Sequence, residues 1–507
     1  MSTNSENEYY DVCIIGSGPS GAFAAHELSK KNRKVILIEA GDSIVDANPS
    51  NVVDVESSCI TGNLNFGFSQ QVGGSSNLWA GGLARFYPID LIRREQFGFP
   101  GWPIEVDELN KFYERVDQKL GINTIELADV KTRGTLDSIE RDSGIESREM
   151  FLLSPPFCTK KLVENQSRIE MLTLSSASKL IFSEYKNEIS AVEIYKQDED
   201  KHILIKSQLF VLASGALTNI RLLLHSLTDI RSKYEDLYDE IGRYFSTHPK
   251  ADIGTLNLFS SFASDHPFVV TKRTASHDLR YQFGMKKKVL DDGNLLNHCL
   301  RFDSRLNQRL NGVFERSKNL IGSVPWLSSQ HGFVGNAVAN LGVEVYRAIN
   351  SIGSFGRPIR QFSVRAFMDQ AAHSHNRVFL SDKLSISGLP LATINWKFDE
   401  KDWKNFEDFI GAYAVELESA GIGELHYSRP EDASFTGIHS HFLGGTRIGK
   451  DAKDSVVDEN LKVHGIQNLY VSGPSVFPSF GYTNPFYTIS ALSIRLADHL
   501  NLTLNNS

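Results

Sequence analysis

The sequence predicts an α/β fold: a Rossmann-type domain built from both ends of the chain, with an α+β domain containing an antiparallel sheet inserted between them. Three observations predict it. An apolar run, a glycine-rich turn, a helical stretch and a second apolar run follow one another between Tyr10 and Glu39. From about His441 onward the chain returns to strand–turn–helix character. Between these ends the pattern is mixed, with alternating stretches that suit antiparallel strands.

The first element is the apolar strand Tyr10 to Ile15, followed by Gly16, Gly18 and Gly21 in G-x-G-x-x-G. The first glycine permits a tight turn, the second lets backbone approach a pyrophosphate, and the third lets the helix close on the strand. The helical stretch Ala22 to Lys30 would place its free N–H groups and positive dipole end against phosphates. The second apolar run, Lys34 to Glu39, ends in a carboxylate that can accept both ribose hydroxyls and that repels a 2′-phosphate. A lone glycine motif is weak, and its plain alternative is a glycine-rich turn. Here strand, glycines, helix and acid agree. The motif by itself leaves FAD and NAD equally possible.

A second glycine cluster, VGGSSNLWAGG, spans Val72 to Gly82. Its small residues would let backbone lie against a flat ligand. Gly74, Ser76, Asn77, Trp79 and Ala80 are its candidate contacts, against the alternative of a flexible loop. Residues Tyr185 to Leu212 read as short antiparallel strands ending in the buried strand Leu209 to Ala213, and the helical pattern Ile220 to Ser226 follows. The middle, Asp252 to Arg429, is irregular, with a helix over Trp403 to Ala420. At the end, Asn484 suits a helix N-cap and Pro485 the first helical position, with Phe486 to Leu500 apolar on helical spacing. The positive end of that helix would stabilise a negative charge placed before it. These signals divide the chain into a dinucleotide domain (1–100, 166–251 and 430–507) and a substrate domain (101–165 and 252–429).

Composition narrows the function. The chain has 507 residues, 41% apolar and 22% charged, with a formal charge of −8, so a polyphosphate partner such as nucleic acid is disfavoured. Cys13, Cys59, Cys158 and Cys299 show no metal-site or redox spacing, and free thiols in a reducing compartment are expected. No metal site is expected. The N-terminus lacks a signal pattern and no long apolar run appears, so a cytoplasmic protein without a membrane span is expected. The stretch Ile321 to Ile349 comes nearest to a span and reads as loop plus amphipathic helix.

Together these segments resemble the glucose–methanol–choline oxidoreductase family, in its pyranose 2-oxidase-like or bacterial sugar- and polyol-oxidising branch. The resemblance rests on the Gly16–Gly18–Gly21 turn with Glu39, VGGSSNLWAGG, ASKLIF from Ala177, and LASGALTNIRLLL, which contains Gly215. GRYFSTHP from Gly242, GWPIEVDELNKFYERV from Gly101, and above all HFLGGTRIG with NLYVSGPSVFPSFGYTNP carry it further. It thins between about Leu256 and Gln361. It implies non-covalent FAD as cofactor, because Leu78 stands where some relatives attach the flavin through a histidine. It implies Ala177, Gly215, Gly473, Asn484 and Pro485 as further cofactor contacts, Gly473 replacing the family's usual acid. It implies His441 as catalytic base and Asn484 as its partner.

The implied reaction removes a hydroxyl proton and passes a carbon-bound hydride to flavin N5, turning an alcohol into a carbonyl. The implied substrate is a sugar, glycoside, polyol or hydroxylated natural product, and the electron acceptor is oxygen, a quinone or a redox protein. A neutral histidine suits the base role near neutral pH. Asn484 would donate to the alcohol oxygen. Geometry alone leaves His439, two residues before His441, as a second candidate. His248 in THP reads as structural, and His373 and His375 as solvated loop residues. Two other function classes share the fold: a flavoprotein lyase or isomerase, and a non-catalytic FAD-binding protein.

Overall fold

The structure is a computed structural model, and it describes residues 9–43, 69–122, 130–262, 268, 272–273, 277–304, 359–430 and 441–506. His439, Cys59 and the stretch from Ile321 to Ile349 lie outside the described residues.

The N-terminal strand β1 (Tyr9–Ile15) has Val12 to Ile14 fully buried, as a central strand covered on both faces requires. It leads through the glycine turn into α1 (Pro19–Lys30), and β2 (Val35–Ile38) returns parallel to β1. On its other side β1 pairs in parallel with β3 (Lys201–Leu212), and β3 pairs with the C-terminal strand β4 (Leu469–Val471). The sheet therefore takes strands from both ends of the chain. Strand Ile169–Leu172 extends it beyond β2, and the antiparallel strands Ser175–Phe182 and Ile189–Lys196 complete it beyond β3. Helix α2 (Ala216–Leu227) follows β3, and the long helix α3 (Phe486–Asn506) packs on α1.

Among the described residues a second sheet of eight strands is formed chiefly from the middle of the chain. Its centre pairs Lys250–Phe262 with Ile359–Phe367, and that strand with Cys299–Ser304, all antiparallel. Strand Gly82–Leu83, from the second glycine cluster, joins the same sheet through Ile145–Leu153. The helix expected over Trp403–Ala420 runs Glu400–Ser419, and Asp399 caps it by accepting from the N–H groups of Lys401 and Asp402. Cys13, Cys158 and Cys299 are free thiols.

Candidate functional site

The glycine-rich end of the candidate site is built from backbone. Gly16 has φ +104°, and a Cβ there would stand 2.6 Å from the Ala213 carbonyl oxygen, so only glycine fits between β1 and β3. Gly18 precedes α1 and offers no side-chain cap, and the first turn carries no acid. Its N–H groups are therefore open to an anion. Gly74 approaches Gly18 so closely that a Cβ on Gly74 would lie 2.8 Å from the Gly18 Cα. The two glycine clusters, separate in sequence, thus form one surface. A third Cβ, on Gly21, would lie 1.9 Å from the Gly16 carbonyl oxygen.

Glu39 is 6% exposed at the end of β2. Its Oε2 accepts from the N–H and Oγ of Ser17, at 3.0 and 2.5 Å, and Oε1 accepts from the Gly41 N–H at 3.0 Å. Ser17 Oγ in turn accepts from the Gly73 N–H at 3.1 Å, which ties the acid to both glycine clusters. Burial pushes the Glu39 carboxyl up, against these hydrogen bonds. Each carboxylate oxygen accepts two bonds, so Oε1 keeps capacity for a ribose hydroxyl.

Gly215 and Gly473 stand just beyond the C-terminal ends of β3 and β4, at φ +80° and +129°. With Gly16 they line the carboxyl edge of the sheet, where ligands bind in open α/β folds. Asn219 braces them: its Oδ1 accepts from the Ser214 N–H at 2.9 Å and its Nδ2 donates to the Ser472 carbonyl at 3.2 Å. Ala177 lies on strand Ser175–Phe182, whose first N–H bonds to the Glu39 carbonyl.

Within the second cluster several side chains are used inside the protein. Ser76 Oγ donates to the Gly73 carbonyl at 2.6 Å, and Asn77 Nδ2 donates to the carbonyls of Gly74 and Val72. Ser76 and Asn77 thus shape the loop with their side chains, leaving backbone to face a ligand. Trp79 stacks on Phe486 at 4.0 Å, and its Nε1 donates to the Phe157 carbonyl, fixing the loop to the start of α3. Ala80 and Leu78 are exposed. The fold also brings Cys158 to this loop, where its thiol donates to Asn77 Oδ1 at 3.1 Å. Nothing in the local sequence signalled that approach.

The C-terminal helix departs from expectation. Pro485 is its N-cap, because the Ile489 N–H bonds to the Pro485 carbonyl. Asn484 lies one residue earlier and does not cap the helix. Its Nδ2 donates instead to the Gly82 carbonyl at 3.0 Å, across 402 residues of sequence. One amide hydrogen is used there and one remains.

The histidine end is built by long-range pairing. The segment Gly242–His248 runs antiparallel to His441–Gly445. The Gly242 N–H bonds to the Gly445 carbonyl, Ser246 and Leu443 exchange two bonds at 2.9 Å, and Phe245 stacks on Phe442. At the end of this ladder His248 Nδ1 and His441 Nδ1 lie 3.0 Å apart. The glycines of H-x-x-G-G have a steric reason. A Cβ on Gly444 would lie 2.1 Å from the Tyr244 carbonyl oxygen, and one on Gly445 would lie 2.3 Å from Ile220. The other ring nitrogen of His248, Nε2, lies 3.1 Å from the Phe480 carbonyl. Phe480 is four residues before Asn484, so one turn connects the histidine pair to the asparagine.

Burial pushes the His441 pKa well below 6.5, with Lys250 and then His248 acting in the same direction. His441 is therefore a neutral imidazole. Burial and Lys250 hold His248 at about 3. Lys250 itself, two residues after His248, is lowered to about 8 by burial and by Arg301 and Arg365. This half-buried lysine was not singled out in the sequence, and its only signal was its position beside the T-H-P segment. His373, expected to be solvated, is half-buried, and its Nε2 pairs with the Asp402 carboxylate at 3.0 Å. Among the described residues His373, His375 and Asp399 are the group whose metal-ligating atoms gather within 4.8 Å. The His373 pairing with Asp402 already accounts for its placement.

A family model described as GMC oxidoreductase matches residues 372–493, and one described as an NAD(P)-binding Rossmann-like domain matches residues 14–63. A 2-methyl-1,2-propanediol dehydrogenase of Mycolicibacterium austroafricanum is 22% identical, over 97% of this chain and 95% of its own. A pyranose 2-oxidase of Emericella nidulans is 23% identical, over 98% and 93%. The crystal structure of pyridoxine 4-oxidase from Mesorbium loti superposes with a TM-score of 0.57 at 16% identity, over 97% and 99% of the two chains.

Proposed function

The chain belongs to the GMC oxidoreductase family, and from that premise we propose that it uses FAD to oxidise an alcohol carbon to the carbonyl, with His441 as base. The observation that carries this reading is the half-buried, neutral His441, whose Nε2 has no hydrogen bond among the described residues. The relatives' names include a diol dehydrogenase, a pyranose oxidase and a paromamine oxidase. They support a small polyhydroxylated substrate of the sugar or polyol class.

The residues fit FAD by their chemistry. The open N–H groups at the start of α1 would hold the pyrophosphate and Glu39 a ribose, with Gly74, Gly215 and Gly473 leaving room for the flat rings. FAD, when bound, accepts the hydride that leaves the alcohol carbon. His441 takes the hydroxyl proton on its ring. The free amide hydrogen of Asn484 would donate to the alcohol oxygen and hold it for that transfer. The division into a dinucleotide part and a substrate part has support in the two sheets. The electron acceptor, whether oxygen, a quinone or a redox protein, completes the cycle. No helix among the described residues is long and apolar enough to cross a membrane.

The test is anaerobic mixing of the yellow enzyme with a panel of sugars, polyols and glycosides. At least one should bleach the flavin and yield the carbonyl product. A flavin that stays oxidised while a substrate is eliminated or isomerised would support the lyase or isomerase reading instead.

A further inference from the structure

We infer that His248 is a positioning residue that fixes the tautomer of His441, so that Nδ1 of His441 keeps its hydrogen and Nε2 is the bare nitrogen that meets the alcohol. The inference rests on the reading of His441 as base and adds to it which atom acts and what makes that atom available.

The chain of reasoning starts at a backbone carbonyl. The Phe480 oxygen can only accept, so the ring nitrogen 3.1 Å from it, His248 Nε2, must carry a hydrogen. His248 is 1% exposed, and its burial keeps it neutral. A neutral imidazole has one N–H, so His248 Nδ1 is a lone pair. The partner 3.0 Å away, His441 Nδ1, must then donate. A neutral His441 with its hydrogen on Nδ1 has an unprotonated Nε2. Each step follows from the one before, and the first is set by a group that has no second protonation state.

The surrounding structure holds this order in place. The rings meet edge to face at 88° with centroids 5.2 Å apart. The Ser246–Leu443 bonds sit two residues from each histidine and fix their separation. Phe480 precedes Gly481, whose φ of +56° turns the chain toward Asn484. A Cβ on Gly481 would stand 3.1 Å from the Asp90 carboxylate, which confines that turn.

The proton balance is simple. The O–H bond of the alcohol breaks, its proton joins Nε2 of His441, and the resulting imidazolium keeps its Nδ1–H bonded to His248. No proton passes on to His248, because that would place a charge on a buried ring beside Lys250. His248 plays the orienting part that a carboxylate plays in a hydrolase triad, without bringing an anion to the site.

The test uses the holoenzyme labelled with ¹⁵N-histidine, together with His248→Leu and His248→Asn. In the unsubstituted enzyme the His441 signals, assigned by their loss in His441→Ala, should show a protonated Nδ1 and a bare Nε2. His248→Leu removes the acceptor. It should give a mixture of His441 tautomers and slow anaerobic flavin reduction about 10–100-fold, with FAD content and the substrate's apparent Kd unchanged. His248→Asn offers an amide oxygen to the same N–H and should recover most of the rate. A protonated Nε2 in the unsubstituted enzyme would overturn the inference, even if His248→Leu failed to fold. So would a leucine variant as fast as wild type, or an asparagine variant as slow as the leucine one. If His441→Ala reduced the flavin normally, the base reading would fail, and the labelled spectrum would still decide whether His248 fixes the ring.

Discussion

The glycine-rich end, which we propose holds the cofactor, and the histidine end of this site are built in opposite ways. Gly16, Gly18, Gly21 and Glu39 lie in one strand–turn–helix–strand unit, and their contacts are mostly backbone. His248, His441 and Phe480 come from three segments, the second and third lying 193 and 232 positions after the first. Backbone sites of the first kind write themselves into local spacing, because steric demands fall on neighbouring residues. Sites of the second kind depend on which distant segments pair, and no local pattern states that.

The contrast makes the two ends separable by mutation. The largest effect is expected at the cofactor end. Gly16→Val places a branched side chain at φ +104°, with its Cβ 2.6 Å from the Ala213 carbonyl. The variant should purify without flavin and unfold at lower temperature, read by the ratio of flavin to protein absorbance and by a melting curve. Normal flavin content would break the assignment of the turn.

Acidification probes the buried histidines next: His248 at the histidine end, and His298, which precedes the strand Cys299–Ser304 and whose Nδ1 accepts from the Asp369 N–H at 3.1 Å. His248 and His298 are held at about 3 by burial, well below the ordinary value of about 6.5 for an unfolded chain. Between those values the unfolded state binds more protons, so stability falls as pH drops from about 6.5 toward 3 and is level above that window with respect to these groups. Each histidine contributes a slope of about 1.4 kcal/mol per pH unit there. Urea unfolding of the holoenzyme across that range measures it. Because buried carboxyls such as Asp369, raised to about 7, slope the other way, the decisive comparison is with His248→Leu: the same pH dependence in both proteins would contradict a buried neutral ring at His248.

Asn484 joins the two ends, because its amide bonds to Gly82 of the second glycine cluster. Asn484→Ala should cost about 1 kcal/mol from that lost bond and weaken alcohol turnover. Asn484→Ser should not restore turnover, since Pro485 and not Asn484 begins the helix. Full turnover with serine would reduce Asn484 to a structural role.

The smallest effect concerns attachment. Leu78 has no nucleophilic atom, so acid precipitation should release yellow flavin into the supernatant. Colour held in the washed pellet would refute non-covalent binding. Its release in Cys158→Ser alone would trace the link to the thiol that the fold brings to this loop.

Much of the fold was legible. The first βαβ unit, the return of the C-terminus to the same sheet and the helix near Trp403 follow from apolar period and glycine placement. His441 was legible only through resemblance, and its contact with His248 was not legible at all. His248 read as structural because a lone histidine before proline gives no sign of what it faces. The cap at Asn484 was misread for a related reason: its local preference for capping yields to a tertiary bond with Gly82. Lys250 was missed because nothing in a strand sequence marks which lysine stands beside a buried histidine.

The central claim is that the cofactor end and the base end are distinct, with His441 as base. Single-turnover flavin reduction by an alcohol in His441→Ala, compared with His439→Ala, tests it most directly. The account predicts that both variants keep FAD, that His441→Ala loses roughly 10²–10⁴-fold in rate, and that His439→Ala loses much less. Rapid bleaching in His441→Ala, or a larger loss in His439→Ala, would contradict it.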